Sequence, residues 1–349
     1  MLPPDHPRRR RRPFALLVAA AFVAAVAANG TALAQSDGGA ASLLGQFGGF
    51  KLAARGAGMS LAYDSPGLIS GAPSPLIQVG LPEASSNMSS GPSGYALASL
   101  AYPGPLLADL ASVLGQAGYD VDIPAYPVRT QAFYPSGPTE ENQSVGAGQM
   151  VSTTTETGSN ALAVYGGAEL PALLRVGAVT SATDTHVEQG QVVSRTRVEL
   201  AGVELLAGVV RIESIVTDIV AAGNGTDAAT DGATTVGGVT VLGLPATLDA
   251  AGLHLGTAPG PGPTTTTTRP PSLLDPLLDP LNLGGLADAL QPVAAGLSNL
   301  LTSVLGTANA AVSDLLSLAG IQIRLLEAVE TKDGSQASRL ANGILITLN

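Results

Sequence analysis

From Gln191 to Leu200 the side chains alternate without a break. Val192, Ser194, Thr196, Val198 and Leu200 fall on one side of an extended chain, and Val193, Arg195, Arg197 and Glu199 fall on the other. Successive side chains of a strand point to opposite faces, so this period of two sets a small, mostly apolar face against a charged one. Strands buried on both faces read as continuous apolar runs instead, and the pattern therefore belongs to an antiparallel sheet with one wet side. Val, Thr, Ile and Ala runs separated by Gly turns continue this character over residues 149–256. The expected fold is mainly β with some α: an antiparallel sheet or sandwich of repeated hairpin-like units, packed by a C-terminal amphipathic helix.

The repetition has an offset of 36 residues. Leu174-Arg175-Val176 corresponds to Val210-Arg211-Ile212, and Gly202-Val203-Glu204-Leu205-Leu206 to Gly238-Val239-Thr240-Val241-Leu242. A contracted third copy opens at Ile323-Arg324-Leu325, turns at Lys332-Asp333-Gly334 and closes at Gly343-Ile344-Leu345-Ile346. Two full copies and a short one are too few for a solenoid, and fit hairpins within one sheet or sandwich.

Residues 257–272 form a Pro/Thr linker, with Pro259-Gly260-Pro261-Gly262-Pro263 followed by five threonines and Pro270-Pro271; such a run has nothing to bury. Beyond it, in residues 273–349, Leu286, Leu290, Val293, Leu297, Leu300, Leu301, Val304, Leu305, Val312, Leu315 and Leu316 recur at spacings of three and four ahead of the terminal hairpin. That spacing predicts an amphipathic helix, or two broken near Gly306, lying on the apolar face of the sheet. A groove between sheet and helix would be lined by Leu290, Leu297, Leu301, Val304 and Leu315, and would suit an apolar ligand.

Residues 35–148 differ in composition. Every aromatic residue after position 34 except Tyr165 lies in this N-terminal α+β region. Phe50-Lys51-Leu52 and residues 59–63 alternate like strands, Tyr119 to Ile123 does the same, and Pro105 to Ala117 has helical spacing between a Pro and Gly118. We expect two differently packed regions.

At the N-terminus Arg8 to Arg12 precede a 15-residue apolar run, Phe14 to Ala28, and Ala32-Leu33-Ala34 comes just before Gln35. A charged region, an apolar region and an Ala-x-Ala site in this order make residues 1–34 a cleaved signal peptide. The run falls short of the roughly 20 residues a spanning helix needs. No transmembrane anchor is expected after cleavage. Cleavage removes Asp5 and five arginines, taking 27 acidic and 16 basic groups to 26 and 11, a net charge of −15. Nucleic acids and anionic bilayers attract Lys and Arg clusters, so neither is an expected partner. With no Cys, there is no disulfide, thiolate nucleophile or cysteine-ligated metal.

Few residues offer chemistry. Asp184-Thr185-His186 resembles two parts of a hydrolytic triad, but no Gly-x-Ser-x-Gly elbow accompanies it, and His186 reads as an exposed strand or turn residue. Gly223-Asn224-Gly225-Thr226-Asp227 matches a single calcium-repeat unit; one copy reads as a hairpin loop. Glu140-Glu141 reads as a solvated loop, Asp275 and Asp279 as residues placed by the prolines that follow them, and Leu244 to Leu248 as a strand end rather than a sorting signal. Tyr95 and Tyr102 are seven residues apart, and Tyr119, Tyr126 and Tyr134 follow one another at seven and eight; core packing is the first expectation and a sugar-binding platform the second.

Residues 144–255, with Arg175 and Arg211 opening strands and Gly202-Val203 and Gly238-Val239 closing them, resemble the secreted, Ala/Gly/Ser/Thr-rich actinobacterial proteins known as choice-of-anchor proteins. The resemblance covers about a third of the chain and implies a surface or secreted protein, with no catalytic residues to carry over. The expected function is that of a secreted, non-enzymatic, envelope-associated structural or interaction protein without cofactors, whose partner is an envelope protein or glycan. The alternative is an extracellular carrier of a lipid or other apolar ligand.

Overall fold

Small side chains at every second position allow two sheets to lie close together, and that is how the chain is arranged. The computed structural model describes residues 21–28, 49–63, 77–103, 128–170, 174–188, 190–255 and 321–348. Those residues contain strands and no helix. In chain order the strands are β1 (Ala21–Ala28), β2 (Phe50–Tyr63), β3 (Ile77–Ser89), β4 (Ser93–Ser99), β5 (Arg129–Tyr134), β6 (Glu140–Val145), β7 (Gly148–Thr154), β8 (Gly158–Tyr165), β9 (Ala168–Leu170) and β10 (Leu174–Glu188). There follow β11 (Gln191–Leu205), β12 (Val210–Gly223), β13 (Ala228–Val241), β14 (Leu244–Asp249), β15 (Gly252–Leu255), β16 (Ile321–Leu325), β17 (Val329–Asp333), β18 (Gln336–Asn342) and β19 (Ile344–Leu348).

One sheet has the order β17-β18-β1-β2-β3-β4-β5, the other β15-β14-β13-β12-β11-β10-β8-β7-β6 with β9 also on β10, and β16 pairs with β19. All pairings are antiparallel. The sheets stack face to face: β2 lies over β10 and β11, β3 over β8 and β10, β4 over β7 and β8, β5 over β7, and β18 over β12 and β13. This is a β-sandwich.

The alternation from Gln191 to Leu200 is obeyed residue by residue, with Val192, Ser194, Thr196, Val198 and Leu200 buried and Arg195, Arg197 and Glu199 exposed. The facing layer is built from very small groups: Ala84, Ser86, Ala96, Ala98, Thr130 and Ala132 have no exposed surface. Hydroxyls cross between the sheets at this close range. Ser181 Oγ donates to the Pro82 carbonyl at 3.0 Å, Ser194 Oγ to the Ala53 carbonyl at 2.7 Å, and Ser152 Oγ to the Thr130 carbonyl at 3.1 Å. Each satisfies a polar group that the apolar interior would otherwise penalise.

Positions 36 apart hold equivalent places in consecutive hairpins, Leu174 opposite Leu205 and Val210 opposite Val241. Gly202 and Gly238 have φ of +64° and +59°. There the inward parity inverts: Val198 and Leu200 point to the core, then Val203 and Leu205 do, while the pairing register is unchanged. Only glycine takes that conformation without strain, which explains its recurrence at this line across the sheet.

The sheet's inward face is thus covered by the seven-stranded sheet, where the sequence suggested a helix. The predicted helices at 105–117 and 286–316, the strand at 119–123, and Leu290, Leu297, Leu301, Val304 and Leu315 lie outside the described residues. Residues 21–28, part of the expected signal peptide, run as β1 between β2 and β18.

Candidate functional site

Three places on the sandwich gather polar or aromatic side chains, and a fourth is an apolar crevice. The first is inside the sheet plane. Arg55 on β2 stands diagonally across from Glu83 on β3, its Nε donating to one carboxylate oxygen at 2.9 Å and its Nη2 to the other at 3.0 Å. Glu83 is 2% exposed. Burial pushes its carboxyl above the usual range against the opposing pull of Arg55. Tyr102 is tied beside it, because Gly80 and Tyr102 exchange backbone hydrogen bonds of 2.8 and 2.7 Å, and a Cβ on Gly80 would strike the Glu83 carboxylate. With both oxygens held by one guanidinium, Glu83 clamps β2 to β3 rather than abstracting protons. Sequence reasoning passed over this pair. Its signal was a lone Arg and a lone Glu within small apolar runs, Ala53-Ala54-Arg55-Gly56-Ala57 and Leu81-Pro82-Glu83-Ala84.

The second is the His186 cluster on the outer face of β10. Its Nδ1 lies 2.6 Å from Asp184 Oδ2 and its Nε2 3.2 Å from Glu188 Oε2. Alternate residues of one strand share a face, so this clip follows from Asp-x-His-x-Glu alone. The hydrogen bond to Asp184 raises the imidazole pKa, outweighing its partial burial. Both ring nitrogens face carboxylates, and Thr185 between them is buried on the opposite face. That arrangement supplies no base aimed at a hydroxyl.

The third is an aromatic pair on the outer face of β4 and β5. Tyr95 and Phe133 sit directly opposite each other with ring centroids 5.2 Å apart, and Gln131 Nε2 donates to the Tyr95 hydroxyl at 3.0 Å. Phe133 is 36% exposed. Glu141, at the start of β6, accepts from the Gln131 backbone N–H at 2.7 Å, so Glu140-Glu141 begins a strand and not a loop. Of the recurring tyrosines, Tyr95, Tyr102 and Tyr134 are half-buried, and Tyr119 and Tyr126 lie outside the described residues.

The fourth is a small crevice of about 20 Å³, lined by Gly58, Leu174, Leu200, Val203, Leu205, Ile215, Gly343, Ile344 and Ile346. Leu200 and Val203, three apart, meet there because of the parity change at Gly202. No polar side chain lines it.

The other sequence candidates resolve into local structure. Asn224 Oδ1 accepts from the N–H groups of Thr226 and Asp227 and from the Thr226 hydroxyl, closing the β12–β13 loop on itself. Leu244 to Leu248 belongs to β14. Asp275 and Asp279 lie outside the described residues. Among the described residues no group of three or more His, Cys, Asp or Glu is arranged to hold a metal ion, and no helix is long and apolar enough to cross a membrane. No family model, no curated protein and no solved structure matches the chain.

Proposed function

We propose that the chain is an exported, non-enzymatic protein that works at the cell envelope as a structural or interaction module. The outer face of β10 to β13 carries this reading. These four neighbouring strands are 15, 15, 14 and 14 residues long. At the usual rise and strand spacing they present about 900 Å², close to what one partner contributes to a stable interface. That face carries charges in mixed sign: Arg175 and Arg211 on either side of Glu204, and Arg197 between Glu199 and Asp218. Exposed pairs of this kind add little stability, and serve specificity instead. The charge order at the N-terminus and the acidic balance of the remaining chain support export.

Protein recovered after export should co-sediment with envelope preparations of its host. Arg195→Glu with Arg197→Glu should weaken that binding at least fivefold while leaving the melting temperature within a few degrees. Full recovery of the unsubstituted protein in the supernatant would overturn the reading. Wall glycan stripped of protein separates the two partner classes, and Phe133→Ala should reduce binding only where glycan is the partner, since an exposed ring beside an amide suits sugar stacking.

The second reading is a carrier of an apolar molecule, for which the aliphatic crevice, about 20 Å³ as it stands, would have to open. Native mass spectrometry of protein from its own host should then show a co-purifying lipid; a bare protein mass removes that reading.

A further inference from the structure

The outer face of the seven-stranded sheet carries a row of three side chains, Asn87 on β3, Tyr95 on β4 and Phe133 on β5, each directly opposite the next. Aromatic rings contribute most to stability when buried. Phe50 and Tyr165 are buried, Tyr95, Tyr102 and Tyr134 half-buried, and Phe133 alone of these six stands exposed. Its position is nevertheless fixed. Tyr95 packs against the ring at a centroid distance of 5.2 Å and an angle of 45°, and the Phe133 N–H donates to the Pro138 carbonyl at 2.8 Å. The turn so closed lies against the base of the ring, where a Cβ on Gly137 would come within 2.8 Å of Phe133 Cβ. The polar groups alongside are held as well. Gln131 Nε2 donates to the Tyr95 hydroxyl, and one Glu141 oxygen accepts from the Gln131 N–H. Among the described residues, these contacts leave the Gln131 side-chain oxygen, the second Glu141 oxygen and the Asn87 amide without partners. An exposed side chain is normally mobile, so groups fixed by their neighbours with hydrogen-bonding capacity left over are preorganised for a ligand.

We propose that this face binds a neutral sugar, stacking a pyranose ring on Phe133 and hydrogen-bonding its hydroxyls to Asn87, Gln131 and Glu141. A sugar ring presents C–H groups on its faces and hydroxyls around its edge, the complement of an aromatic plane bordered by amides and a carboxylate. At the usual strand spacing and rise, the frame from Asn87 across to Phe133 and along to Gln131 measures about 10 by 7 Å, the footprint of one or two sugar rings. Amides both donate and accept, as hydroxyls require, and the carboxylate is the stronger acceptor. Glu141 and the net negative charge of the chain select against acidic glycans. Proline-rich peptides also stack on aromatic rings, yet proline has no donor for the Gln131 and Glu141 oxygens. The site lies on the opposite outer face from β10 to β13, and it rests on the export reading above only for where its ligand is met.

Calorimetric titration of the exported protein with cellohexaose, maltohexaose and mannohexaose should give, for at least one of them, a Kd at or below about 1 mM. Phe133→Leu keeps an apolar side chain in place and removes the ring, so it should weaken that binding about tenfold or more while the melting temperature stays within a few degrees. Asn87→Ala and Gln131→Ala should each weaken it about threefold, as expected for the loss of one neutral hydrogen bond. An oligogalacturonate and a decaproline peptide should not bind. Failure of all three neutral oligosaccharides to bind overturns the proposal, and so does binding that Phe133→Leu leaves unchanged. Equal affinity for the oligogalacturonate overturns the selection for neutral sugar, and binding of decaproline in place of sugar overturns the ligand class. Protein that sediments with envelope while binding no oligosaccharide leaves the envelope reading standing without this site. Sugar binding by protein that stays in the supernatant does the reverse.

Discussion

Arg55 and Glu83 form a two-pronged ion pair in which the carboxylate is 2% exposed and the guanidinium 41% exposed. The arginine keeps part of its hydration and the glutamate almost none. Removing the arginine therefore strands a buried charge, whereas removing the glutamate leaves a cation that water can still reach. Arg55→Ala should destabilise by about 3 kcal/mol, and Glu83→Gln by clearly less. Adding Glu83→Gln to Arg55→Ala should recover part of the loss, as a chemical-denaturation cycle over the four proteins would measure. The pH dependence has a definite sign. Glu83's folded pKa is raised, so its protonation favours the fold at low pH and that contribution fades as pH rises through the folded value. The defect of Arg55→Ala should accordingly shrink on acidification.

His186 is held between Asp184 and Glu188, and its pKa lies above the usual imidazole value. Stability from the charged imidazole is complete below the unfolded pKa and disappears as pH rises through the folded one. Titration of the His186 ring protons by NMR should show the elevation, and Asp184→Asn should lower the midpoint because it removes the principal hydrogen bond. A wild-type midpoint at or below the free imidazole value would contradict the clip.

Gly58 lies where β2 crosses β10. A Cβ there would run into the Val179 side chain and come within 3.0 Å of the Leu81 carbonyl and 3.1 Å of Pro82 Cδ. Gly58→Ala should cost about 1–3 kcal/mol by overpacking. Val179→Ala in the same protein should return much of that, a non-additivity visible in paired melting curves. Additive losses would mean that the backbone contacts, not Val179, set the limit.

Residues 191–200 could be read directly because Val and Leu alternate with Arg and Glu, a contrast that specifies both the strand and its inward face. The partner sheet gave no such contrast. Ala84, Ser86, Ala96 and Ala98 are wholly buried, yet side chains this small and weakly apolar look alike in a core, a turn or a linker. The leucine stripe, as the strongest apolar signal left, was therefore assigned to cover the sheet, and the cover of the inward face is a second sheet instead. Sites fared similarly. His186 was legible as a strand residue flanked by acids, since Asp-x-His-x-Glu puts all three on one face. Arg55 and Glu83 are 28 residues apart, and only the β2–β3 register joins them. The crevice depends on the parity change at Gly202, which no periodicity rule anticipates.

The hydroxyls that cross between the sheets are the finest test of this packing. Ser181 has no exposed surface, and its Oγ donates to the carbonyl of Pro82 on the opposing sheet at 3.0 Å. Pro82 has no N–H to give a neighbouring strand, and its carbonyl takes the serine proton across the sandwich. Ser181→Ala keeps the volume nearly constant and removes only the bond, which should cost about 1–2 kcal/mol, as expected when a buried acceptor loses its donor. Ser181→Val supplies more apolar surface, yet it should be worse than Ala, because the added methyl groups must fit a gap just wide enough for one hydroxyl. If Val is tolerated better than Ala in equilibrium unfolding, the sheets stand further apart than a direct hydrogen bond allows. Small residues on the inward face would then reflect composition alone and not close approach.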